Sequence, residues 1–132
     1  MTSLAALPNF LAYLLASIVL LGIFLAIYTR ITKHDEWALL NQGNVAAAVS
    51  LSGSVLGFSL PLASVIAHAA NMADLVVWSV VAMVVQLVAY FILFMTQRDI
   101  TGRIERGEMA PAIMLATAGL VLGVLNAACL TY

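Results

Sequence analysis

Four stretches of the chain stay apolar long enough to cross a bilayer, and polar residues gather between them. They cover about residues 7–28, 44–67, 75–96 and 109–131. A helix needs about 20 mostly apolar residues to span the hydrocarbon core. Lipid leaves helices and closed barrels as the only ways to satisfy every backbone group. These runs are continuous and lack the alternation of barrel strands. The pattern therefore predicts an all-α fold, an integral membrane four-helix bundle forming a single domain over residues 1–132. Pro8 and Pro111 fall near helix starts, where a missing N–H costs little. Pro61 lies inside the second run and predicts a kink or a broken hydrogen bond. The first run lacks a basic leading region and a small-residue cleavage site, so it is expected to be a retained helix.

Composition narrows the class. Hydrophobic residues make up 64% of the chain and charged residues 8%, against roughly 45–50% and 25% in soluble domains. This excludes an ordinary soluble enzyme, a disordered tail and a disulfide-stapled module. A net charge of −1 offers no basic surface to nucleic acid. Cys129 stands alone, so no intrachain disulfide can form.

The basic residues set orientation. Arg30 and Lys33 lie between the first two helices, and Arg98, Arg103 and Arg106 between the last two. By the positive-inside rule, loops 29–43 and 97–108 are cytoplasmic and both termini lie outside. In the first inner loop, His34-Asp35-Glu36-Trp37 leads into Ala38-Leu39-Leu40. It is expected to form a short interfacial helical turn with Trp37 at headgroup depth. The outer loop, from about His68 to Asp74, is tight. Asn71 followed by Asp74 suits a capped helix start.

The two halves resemble each other. Gly43-Asn44-Val45-Ala46-Ala47-Ala48-Val49 opens the second helix as Gly107-Glu108-Met109-Ala110-Pro111-Ala112-Ile113 opens the fourth. Gly53-Ser54-Val55-Leu56-Gly57 resembles Gly119-Leu120-Val121-Leu122-Gly123, at a slightly different offset. Chance likeness between Ala/Gly-rich helices is one explanation. A duplicated two-helix hairpin, with tandem halves of residues 1–68 and 69–132, is the preferred one. Its pseudo-two-fold axis would run along the membrane normal, as in parallel repeats.

Longer strings point to a family. Asp35-Glu36 with Gly43-Asn44-Val45-Ala46-Ala47-Ala48, then Gly57-Phe58-Ser59-Leu60-Pro61-Leu62-Ala63-Ser64, Trp78 with Gln86, and Asn126-Ala127-Ala128-Cys129 together resemble the YjfL-like family of small bacterial inner-membrane proteins. The likeness covers nearly the whole chain. It implies a four-helix protein of the bacterial inner membrane, and with the orientation set by the basic residues the termini are expected to be periplasmic. It also suggests an association with envelope stress and a phage-shock-like cytoplasmic partner. The family's function is unknown, so the resemblance carries no site residues.

On a helical wheel, Gly43, Ala46, Ala47, Ser50, Gly53, Ser54, Gly57, Pro61, Ser64 and His68 share one face of the second helix. Glu108, Ala112, Ala116, Gly119, Gly123 and Asn126 form a narrower counterpart on the fourth. Small residues let backbones approach, which is how membrane helices gain contact when lipid is as apolar as leucine. Ser50, Gly53, Ser54, Gly57, Ala112, Ala116, Gly119 and Gly123 are thus expected to form a packing seam. A subunit seam or a wet pore lining are the alternatives. Helices one and three, being bulkier, should face lipid more.

Gln86, near mid-bilayer, needs a partner. A hydrogen bond to the second or fourth helix is expected, with Ser54, Gly57 and Thr117 within reach, worth about 0.6–2 kcal/mol. Asn44 and Glu108 occupy matching positions at the inner interface. Glu108 suits a helix N-terminus and, as the acid at the seam's mouth, could attract cations. His68 and Asp74 mark the outer mouth. No phosphate loop, activated nucleophile or zinc-ligand cluster is visible, so no enzymatic activity, metal or cofactor is expected. The leading function is a structural or accessory membrane protein that pairs with itself or with another membrane protein. The alternative is a small oligomeric channel or transporter lined by the Ser/Gly face of the second helix and Gln86.

Overall fold

The structure, a computed structural model, describes residues 3–31, 36–96 and 99–130. All regular structure in these residues is helical: α1 (Ser3–Ile31), α2 (Glu36–Asn41), α3 (Val45–His68), α4 (Met72–Thr96), α5 (Ile100–Glu105) and α6 (Met109–Cys129). The four expected spans are α1, α3, α4 and α6, each long and apolar enough to cross a bilayer. The charges at Lys33, His34, Asp35 and Arg98 lie outside the described residues.

The turns explain where the helices begin and end. At the α3–α4 turn, Asp74 N–H donates to Asn71 Oδ1 at 2.9 Å and Ala70 N–H donates to Asp74 Oδ2 at 3.0 Å. This reciprocal arrangement resembles a capping box and starts α4 where the Asn–Asp spacing predicts. At the other end of the bundle, labelled inner after the orientation that the basic residues predict, α2 ends on Gly43, whose φ is +78°. Gly43 N–H reaches Leu40 O at 3.0 Å and Asn44 N–H reaches Leu39 O at 2.9 Å. α5 ends identically. Gly107 has φ +80°, its N–H reaches Ile104 O at 2.9 Å, and Glu108 N–H reaches Arg103 O at 3.0 Å. Both are Schellman turns, which need a left-handed residue that glycine supplies without strain. Each half of the chain thus runs long helix, short inner helix, glycine turn, long helix. The sequence pattern anticipates α2, with Trp37 exposed. It does not anticipate α5, a stretch that reads as a charged loop.

α3 and α6 make the most extensive helix pair. α4 lies across both, and α1 leans on α3 and α4. α1 is the most lipid-facing span, as its bulk predicts, with Leu4 and Leu15 largely exposed. α4 departs from that expectation. It buries Leu75, Ser79, Ala82, Met83, Gln86 and Tyr90, because one face fits the groove between α3 and α6. An aromatic cluster joins the helices toward the inner side. Phe24 stacks on Phe58 at 4.5 Å between centroids and Tyr28 meets Tyr90 edge-on at 5.1 Å, all four rings fully buried. The buried arc of α3 is therefore wider than its small-residue face and takes in Leu51, Phe58, Leu62 and Val65.

Candidate functional site: a closed seam with buried polar side chains

The small residues of α3 and α6 meet each other. Ser50, Gly53, Ser54, Gly57, Ala112, Gly119 and Gly123 are all buried, and Ala116 is half-buried. Contact is backbone to backbone. A Cβ on Gly53 would overlap Ala116, and one on Gly57 would sit 2.6 Å from Gly119 O. A Cβ on Gly123 would overlap Gly57 O. Pro61 explains why that carbonyl is there. α3 continues unbroken through Pro61, but proline has no N–H to return to Gly57 O. The freed carbonyl packs on the Cα of Gly123, where a weak Cα–H···O contact can form.

Three polar side chains tie α6 to its neighbours, two of them to α4 and one to α3. Gln86 Nε2 donates to Gly119 O at 3.0 Å. Both residues lie ten positions from the inner ends of their helices, about 15 Å at 1.5 Å per residue. Of the two helices expected to partner Gln86, the fourth does so, with Gly119 as acceptor. Thr117 faces lipid instead, and Ser54 bonds within its own helix to Ser50 O at 3.0 Å. Nearer the outer side, Asn126 Nδ2 donates to Ala82 O at 3.1 Å and Ser64 Oγ to Ala127 O at 3.0 Å.

Three fully buried side chains keep an atom without a hydrogen-bond partner among the described residues. They are Ser79 Oγ, Gln86 Oε1 and Tyr90 Oη. The Tyr90 hydroxyl presses on the Cα of Gly119 and lies close to Ser54 and Gln86 without hydrogen-bond geometry to either. The wheel does not single out Tyr90. A tyrosine near the end of an apolar run reads as an interfacial residue, and only the placement of α4 turns it inward.

At the inner mouth, Asn44 and Glu108 hold matching positions but act differently. Asn44 caps α3, accepting from Ala47 N–H at 3.0 Å, and its Nδ2 donates to Ile104 O and Glu105 O at 3.0 and 3.1 Å. One side chain thus ties the start of α3 to the end of α5. Glu108 makes no side-chain cap bond. Instead Arg103 Nε donates to its Oε1 at 3.0 Å and Arg106 Nη2 to its Oε2 at 3.2 Å, while Arg106 Nη1 reaches Asp99 at 3.3 Å. The bond from Arg103, reinforced by Arg106, holds the Glu108 carboxyl below the ordinary carboxylate range. Both of its oxygens are already engaged by arginine. Asp99, missed by sequence reasoning, sits at φ +52° and folds its carboxylate over Gly102.

The remaining residues stay outside the seam. His68 is exposed and its Nδ1 lies 2.8 Å from Ser64 O. Cys129 is exposed. Among the described residues no three His, Cys, Asp or Glu side chains gather as metal ligands.

The family described as Domain of Unknown Function (DUF350) matches residues 1–130. The chain is 34% identical over 129 residues to the UPF0719 inner membrane protein YjfL of Escherichia coli (strain K12), covering 98% of each. It is 28% identical over 88 residues to the UPF0719 transmembrane protein YshE of Bacillus subtilis (strain 168), covering 66% of each. No solved structure matches it.

Proposed function

The chain belongs to the DUF350 family, and from that premise we propose that it is a structural, self-associating membrane protein whose two charged inner turns face the cytoplasm. The observation that carries this is the closed seam. The Ser/Gly face of α3, which a channel would need as its lining, is filled within one subunit by the backbone of α6. The small residues are spent on folding one subunit, so association must use another surface. The side of the α3–α6 pair away from α4 offers one. Leu56, Ile113 and Val124 are more than half exposed there. Ser52 and Thr117 are exposed beside them, and no hydrogen bond ties either hydroxyl among the described residues. A second copy would cover the apolar side chains and give those hydroxyls partners in lipid. The matched turns of the two halves support a duplicated hairpin. The basic inner turns support cytoplasmic loops and periplasmic termini. An envelope-stress partner at those turns is supplied by the family resemblance alone.

The test is disulfide trapping in native membranes of Ser52→Cys in a Cys129→Ser background. The expected product is a covalent dimer, absent for a cysteine on the outer face of α1. Only monomer at every expression level would refute self-association through this face. Liposome flux equal to that of empty vesicles is expected for several ions.

A further inference from the structure

A second feature lies on a different side of α6, away from the self-association face. At the inner end of the bundle a cleft of about 100 Å³ opens between the end of α4, α5 and the start of α6. Its walls include Leu93, Ile100, Pro111, Met114 and Ala118, and its single charged wall residue is Arg103. The apolar walls continue along α6 to Ala118, nine residues past Met109 and so about 14 Å into the bilayer. Charge at one end and hydrocarbon below is the shape of a lipid.

We propose that this cleft binds a phospholipid whose headgroup carries both a phosphate and a primary ammonium, as phosphatidylethanolamine does. Arg103 holds the phosphate. Its Nε is committed to Glu108, but its two terminal NH₂ groups have no partner among the described residues, and the side chain is 41% exposed. A guanidinium offers phosphate two parallel N–H bonds, which an ammonium cannot. The surroundings select the rest of the headgroup. Arg103, Glu108, Arg106 and Asp99 are joined by ion pairs in that order, alternate in sign along it and sum to zero, so the four together add no net pull on a purely anionic lipid. Asp99, 64% exposed and bonded to Arg106 through Oδ2 alone among the described residues, keeps Oδ1 to accept from an ammonium. A choline headgroup has no N–H to give it. The first segment of one acyl chain lies between Leu93 and Met114.

The test is native mass spectrometry of the detergent-purified protein in an equimolar mixture of phosphatidylethanolamine, phosphatidylglycerol and phosphatidylcholine. The phosphatidylethanolamine adduct is expected to exceed each of the others by roughly tenfold, the factor set by about one charge-assisted hydrogen bond. Arg103→Gln should erase that preference. Arg103→Lys, which keeps the charge and supports folding, should reduce it. Ala118→Leu narrows the cleft without touching a charge and should lower the adduct while the melting temperature holds. Phosphatidylglycerol binding most strongly would show a simple cation site. Equal adducts, or a preference that survives Arg103→Gln, would show unselective surrounding lipid. Any of these results overturns the proposal.

Discussion

Gly123→Ala asks how much of the fold rests on backbone contact between α3 and α6. The new Cβ would overlap Gly57 O and come within 2.9 Å of Gly57 C and 3.0 Å of its Cα. All three atoms belong to a helix backbone, so no side chain can rotate aside and the helices must part. Overpacking of this kind costs about 1–3 kcal/mol. Disturbing α6 also strains the Gln86–Gly119 bond, and such bonds in membranes are worth about 0.6 kcal/mol on average. Alanine's better helix propensity offsets roughly 0.8–1 kcal/mol. The expected net loss is about 0.6–2.8 kcal/mol. Gly22→Ala is the control, because a Cβ there meets nothing within 4 Å. Only the helix propensity remains for it, so stability should hold or rise by up to about 1 kcal/mol. Reversible unfolding in mixed micelles measures both. If the two variants shift together, the seam is not the tight contact described and the reasoning fails.

Asn44→Ala should lose about 1 kcal/mol as a helix cap and about as much again from the bonds to Ile104 O and Glu105 O. Thermal unfolding checks this, and Asn44→Asp should recover the cap share alone. Gln86→Leu removes one interhelical bond of about 0.6 kcal/mol together with an acceptor whose burial without a partner costs about 1–3 kcal/mol. Stability is expected to be unchanged or higher, and a large loss would mean that Oε1 is bonded. Glu108 is held below its ordinary pKa when folded, chiefly by Arg103. Its contribution is therefore present above the unfolded carboxylate pKa and lost as pH falls through the lower folded value. Glu108→Gln should flatten that acid-side decline in a pH series of melting temperatures, and an unchanged profile would refute the assignment.

Much of this architecture is written in local patterns. Apolar run length is enough to place the spans, because lipid permits few alternatives. The Asn71–Asp74 spacing marks a helix start through two short hydrogen bonds. The alignment of Gly53, Gly57, Gly119 and Gly123 marks a seam because only small residues allow backbones to touch. What stayed hidden depends on how helices are arranged around one another. A wheel shows that Gln86 needs a partner, but Gly119 O and Thr117 differ only by which side of α6 faces α4. Tyr28 and Tyr90 meet only because α1 and α4 lie on the same side of the bundle. α5 escaped notice because two isoleucines four apart in a six-residue, mixed-charge stretch are too short a pattern to mark a helix. Packing of Ile100 and Ile104 beneath it supplies the order.

Pro61 has a consequence for movement. The carbonyl it frees acts as a tooth engaged at Gly123, and sliding α6 by one turn in one direction would bring the methyl of Ala127 towards that tooth. A ratchet of the two central helices in that direction is thereby opposed, and they are expected to travel as a single keel. Any rearrangement in the membrane falls to α1, the span held by the least contact, swinging against an unyielding block.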